Sequence, residues 1–137
     1  MNRYIFGFVL FVISAIIASV FGPVAFVYTI LRSIFRMSRT ELQMLFGRLF
    51  YFMAYSIDQF GNVIGQYLFN DTLITRNSTY KFGNPDVTIS AVLGMNKKNK
   101  TLSKLGTYIC NILNYIDPNH VEKAADSEII NRKQRWK

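Results

Sequence analysis

One cysteine, one histidine and one tryptophan are all that 137 residues hold of those three types. With Cys110 alone, no disulfide can form within the chain, which suits a reducing compartment. With His120 alone, a Cys/His zinc site is excluded by count, and neither a metal nor another cofactor is expected. The glycines never fall in the G-x-x-x-x-G-K-[ST] spacing, so no phosphate loop is present. Acidic residues are also scarce. Eight Asp and Glu against 16 Lys and Arg leave a net charge of +8. That balance favours anionic partners: the cytoplasmic lipid face, nucleic acid or an acidic protein.

Charge is missing altogether from Tyr4 to Leu31, a run of 28 residues. As a helix it measures about 42 Å, against roughly 30 Å of hydrocarbon core, so it is long enough to span a bilayer with tilt. Gly22-Pro23 lies two-thirds of the way along, where the proline removes one ladder hydrogen bond. A single kinked span is preferred to a span ending at Phe21 with an interfacial helix from Pro23, because membrane helices tolerate Gly and Pro. A domain this small could not cover a run that is apolar all round. A cleaved signal peptide fits less well: the run far exceeds an h-region of about 7–15 residues, and no A-x-A site follows. Arg3 precedes the run, whereas Arg32, Arg36 and Arg39 follow it, so the positive-inside bias places the C-terminal domain in the cytoplasm.

Residues 1–37 are therefore expected to form a transmembrane anchor, 38–70 an amphipathic interfacial helix, and 71–137 a basic helical soluble domain with a turn-rich connector. The fold class is mainly α. Ser38-Arg39-Thr40-Glu41 reads as a capping box. Leu42, Leu45, Leu49, Phe52, Met53 and Ile57 then keep helical spacing, with Arg48 placed to snorkel to headgroups. This stretch is too short to span comfortably, so a helix partly on the membrane surface and partly packed into the domain core is preferred to a transmembrane hairpin. Gly61 and Gly65, four apart, form either a small-residue face for helix packing or a pair of tolerated glycines near a bend. Asn77-Ser78-Thr79 and Gly83-Asn84-Pro85-Asp86 are turn chemistry. Asp86 is expected to cap a short helix that stops at Gly94, and Asn96–Lys100 to form a solvated basic loop. Leu102, Leu105, Ile109, Ile112, Leu113 and Ile116 share one face of an amphipathic helix that Asp117-Pro118 ends.

Four blocks carry a resemblance: Asp58–Ile74 (DQFGNVIGQYLFNDTLI), Phe82–Gly94 (FGNPDVTISAVLG), Leu102–Gly106 (LSKLG) and Ile116–Ala124 (IDPNHVEKA). In this order they resemble a group of small, mostly uncharacterised proteins of tailed bacteriophages and prophages. The resemblance spans residues 58–124 and implies no activity. The group's P-D-E-T-[IL]-S-S block has Val87 here in place of Glu, and its D-x-x-H-C-like block has Val121 in place of Cys. Those departures favour a structural role for Asp86 and for Asn119-His120.

A Ser-His-Asp set can be written from Ser90, His120 and either Asp86 or Asp117, but no nucleophile elbow or oxyanion loop accompanies it. His120 and Asp86 are the candidates for chemistry, and a hydrolase near the membrane is the alternative reading. Lys97, Lys98, Lys100 and Lys104, with Arg132, Lys133, Arg135 and Lys137, surround the last helices. Together with Arg32, Arg36, Arg39 and Arg48 they suit anionic lipid. Nucleic acid is less favoured, since the lysines are not interleaved with aromatics. The expected protein is a non-enzymatic viral interaction or structural protein in the host inner membrane or a virion membrane. Its partners would be the lipid bilayer, copies of itself, or other viral or membrane proteins. A holin-like lysis protein is the third reading.

Overall fold

The computed structural model describes the backbone of residues 3–135 and the side chains through Ile129. The side chains of Arg132, Lys133 and Arg135, and all of Lys137, lie outside the described residues. The protein is mainly helical. The helices are α1 (Arg3–Arg36), α2 (Arg39–Ile64), α3 (Gln66–Thr72), α4 (Ile89–Lys98), α5 (Lys104–Ile116) and α6 (His120–Arg135). Among the described residues the only β pairing is an isolated bridge between Ile74 and Leu102. The chain divides into two compact units, Met1–Leu49 and Phe50–Lys137, with α2 running through the boundary.

In the first unit, α1 is one continuous 34-residue helix with Pro23 inside it. Its apolar stretch has no buried residue. Ser33, near its end, is buried, and its hydroxyl donates to the Thr29 carbonyl at 2.6 Å. The turn to α2 is fixed by the capping box. The Ser38 amide donates to Glu41 Oε2 at 2.8 Å, and the Glu41 amide reaches back to Ser38 Oγ at 3.4 Å. These bonds from the Ser38 amide and hydroxyl hold the Glu41 carboxyl below its ordinary range. Arg32, Arg36, Arg39 and Arg48 are all exposed.

In the second unit, α4 is the hub. Every residue from Ser90 to Asn96 is buried. Val87, Val92, Leu93, Val121 and Ala125 form the centre of the core, with Leu73, Ile74 and Phe82 from the connecting chain. The α4–α6 contact is close because residue 94 is glycine: a Cβ there would lie 1.9 Å from the Val121 carbonyl oxygen. Gly94 is thus a crossing point inside α4, not the stop expected from the sequence. The helix runs on to Lys98 and is capped by Asn99.

The chain between Thr72 and Ile89 is irregular and held by buried asparagines. Asn62, fully buried on α2, donates to the carbonyls of Asn84 (2.9 Å) and Val87 (2.7 Å) and accepts from the Gly83 amide (3.0 Å). Gly83 has φ +115, a conformation only glycine takes readily. Asn96 donates to the carbonyls of Tyr80 and Val92, both at 2.9 Å, and accepts from the hydroxyls of Ser78 and Thr101. The segment expected to be a solvated basic loop therefore begins as the buried last turn of α4.

Candidate functional site

Asp58 is the only acid between Glu41 and Asp71, and it follows the apolar run of residues 49–55 on α2. It reaches across to the start of α4. Its Oδ1 accepts from the Ile89 amide at 3.0 Å, and its Oδ2 from the Ser90 amide at 3.4 Å and the Ser90 hydroxyl at 2.8 Å. Thr88 is the local N-cap and accepts from the Ala91 amide at 3.1 Å. The expected cap, Asp86, lies two residues too early. Asn84 makes the turn instead, its carbonyl accepting from the Val87 amide and its Oδ1 from the Asp86 amide.

Ser90 meets His120 from the other side, with Nε2 3.3 Å from Oγ. His120 Nδ1 lies 3.0 Å from Asp117 Oδ2, and Lys123 Nζ lies 3.0 Å from Asp117 Oδ1. The His120 contact and then the Lys123 bond lower the Asp117 pKa below its usual range. The set written from sequence as Ser90, His120 and Asp117 is therefore brought together, and Asp58 joins it. Asp86 is exposed and is not among the residues lining this site.

Beside the cluster lies a groove of about 600 Å³. Tyr51, Phe52 and Tyr55 of α2 form one wall, Ala91 and Ala124 are apolar lining on α4 and α6, and Lys123 and Ser127 add polar groups. The Ser90 hydroxyl donates to Asp58 Oδ2 at the shorter distance, 2.8 Å, against 3.3 Å to His120 Nε2. The first three amides of α4, which would otherwise form an oxyanion hole, are taken by Asp58 and Thr88. What the cluster does is join α2, α4 and α6.

The expected lipid-facing lysines divide. Lys97 pairs with Glu122 at 2.6 Å and Lys98 with Asp126, both on α6. Lys100, in a turn with φ 57, and Lys104 are exposed. Burial tends to raise the Glu122 pKa, but hydrogen bonds from Lys97 and Asn114 outweigh it, and the net shift is downward. Gly61 and Gly65 serve contacts within the unit. A Cβ on Gly61 would lie 3.1 Å from Ile89 Cδ1, and one on Gly65 would lie 2.3 Å from the Phe69 ring. That ring packs edge-on against Phe82, with centroids 5.4 Å apart. Cys110 is fully buried, and desolvation raises its thiol pKa, which makes it a poor nucleophile.

Among the described residues no group of three or more His, Cys, Asp and Glu side chains is placed to hold a metal. Comparison with protein-family models, curated proteins and solved structures finds no match.

Proposed function

We propose that this is a membrane-anchored, non-enzymatic interaction protein, with α1 spanning the bilayer and the second unit working at its cytoplasmic surface. The observation that carries the reading is α1 itself: 28 residues without a charge, on a helix whose apolar stretch buries nothing. The arginines at its C-terminal flank support the inward orientation through the positive-inside bias. The irregular chain around Ser78 and Gly83 serves as the connector that orients the α4 hub. The resemblance to small phage and prophage proteins favours a viral source, with the host inner membrane or a virion membrane as its place and other membrane proteins as its partners.

A cytoplasmic and a periplasmic reporter, each fused after Lys137 in full-length chains, test the topology. Activity of the cytoplasmic reporter alone is expected. Activity of the periplasmic one would reverse the orientation and favour an envelope role. Rapid loss of membrane potential on expression would instead favour a holin-like lysis protein.

A serine-hydrolase reading has one observation in its favour, the Ser90–His120–Asp117 contact chain. The occupied amides and the Ser90–Asp58 hydrogen bond weigh against it.

A further inference from the structure

We propose that α5 is an interfacial helix whose outward arc lies in the headgroup–acyl boundary of an anionic bilayer. This rests on the reading of α1 as the anchor and names the surface by which the second unit meets the membrane. At about 100° per residue, the α5 side chains sort into three arcs. Gly106 and Cys110 are buried and face the core, with half-buried Leu113 on the other side of Gly106 from Cys110. Lys104, Thr107 and Asn111 make an exposed polar arc. Between these, Leu105, Tyr108, Ile112, Tyr115 and Ile116 form a contiguous apolar arc about 100° wide.

That arc is left in solvent. Tyr115 is 91% exposed, Ile116 75%, Tyr108 64% and Leu105 50%. The helix is amphipathic, yet its core-facing residues occupy only one edge of its apolar side. An amphipathic helix lying in the plane of a membrane has this arrangement: apolar side chains outward, a polar edge beside them. Two of the five outward residues are tyrosines, whose rings favour the headgroup level. Lys104 on the polar edge and Lys100 just before the helix are exposed and basic, the charge an anionic surface attracts. Lys97 and Lys98 are held instead by the acids of α6.

A second copy of the chain is the rival occupant, and area argues against it. A 13-residue helix is about 20 Å long and about 10 Å wide, a footprint on the order of 200 Å². A stable protein interface needs roughly 800 Å² from each partner. A small patch suffices for a bilayer when the same chain is already tethered there, because the second contact is then intramolecular.

The test uses the full chain carrying Trp136→Phe and one new indole, from either Tyr108→Trp or Asn111→Trp. Each chain is reconstituted in phosphatidylcholine–phosphatidylglycerol vesicles with and without brominated acyl chains. The indole at position 108 should be quenched several-fold more strongly than the one at 111. Equal quenching at both positions, or none at 108 in protein that floats with the vesicles, overturns the proposal and leaves the anchor standing. Protein that does not float at all overturns the anchor reading, and this proposal with it. A blue-shifted, unquenched indole at 108 that appears only at high protein-to-lipid ratio assigns the arc to a second copy and also overturns it.

Discussion

Gly94 on α4 and the Val121 carbonyl on α6 approach so closely that no side chain fits between them. The obstacle is backbone, with the Ala125 methyl beside it, so neither helix can yield without moving the core residues Leu93 and Val121. Gly94→Ala should destabilise the second unit by about 3 kcal/mol or more, at the upper end of overpacking costs. Thermal unfolding of the detergent-solubilised chain checks this. An unchanged midpoint would mean that the α4–α6 crossing is looser than described.

Asn62 is expected to be as sensitive for a different reason. Its side chain satisfies the Gly83 amide and the carbonyls of Asn84 and Val87 at a site with no exposure. Asn62→Ala leaves buried backbone groups without partners, at about 1–3 kcal/mol each before relaxation. The same unfolding measurement reads the loss. Rapid proteolysis between residues 75 and 88 should accompany it, because that chain would lose its tether to α2.

The Asp58–Ser90–His120 cluster separates the clamp from the catalyst. Asp58→Ala removes the tertiary cap of α4 and should cost about 1–2 kcal/mol. Ser90→Ala should cost about 1 kcal/mol and leave membrane association unchanged. A fluorophosphonate probe should fail to label Ser90 in the folded chain. Labelling that disappears in Ser90→Ala would establish an activated serine and displace the clamp reading.

How much of this was legible in the sequence depended on whether local signals or distant contacts decided the outcome. The apolar run of α1 and the Ser38–Glu41 box are local, and both led to helices that form, although the helix expected over 38–70 is divided at Gly65 into α2 and α3. Asp86 and Thr88 are both acceptable caps. The choice fell to Thr88 because Asn84 consumes the preceding residues in a turn and Asp58 arrives from α2. Gly94 and Asn96 carry stop and loop preferences that burial overrode: one makes a helix crossing, the other a buried hydrogen-bond hub. Asp58 was missed, although a solitary acid just after an apolar run is itself a sign of a partner. The Lys97 and Lys98 pairings were not legible, since nothing local brings α6 alongside α4.

Acid should loosen the second unit. Glu122 is held below its ordinary 4.5 by Lys97 and Asn114, and Asp117 below its ordinary 3.8 by His120 and Lys123. A carboxylate with a lowered folded pKa contributes stability that is complete above its unfolded pKa and lost as pH falls through the folded one. The unfolding midpoint should therefore decline from about pH 4.5 downward. Glu122→Gln should flatten that decline while lowering the midpoint at neutral pH. An identical pH slope in the variant would remove Glu122 from the account.

Insertion of α1 is the central claim, and extraction of membranes with alkaline carbonate tests it most directly. The full chain should stay with the membrane pellet, uncleaved. The double variant Ile13→Arg, Ile17→Arg puts two charges at the middle of the apolar run, at about 2.5–3.5 kcal/mol each on an insertion scale, and should move the chain to the supernatant. A wild-type chain recovered in the carbonate supernatant, or one shortened by removal of its N-terminal segment, would contradict a retained transmembrane anchor.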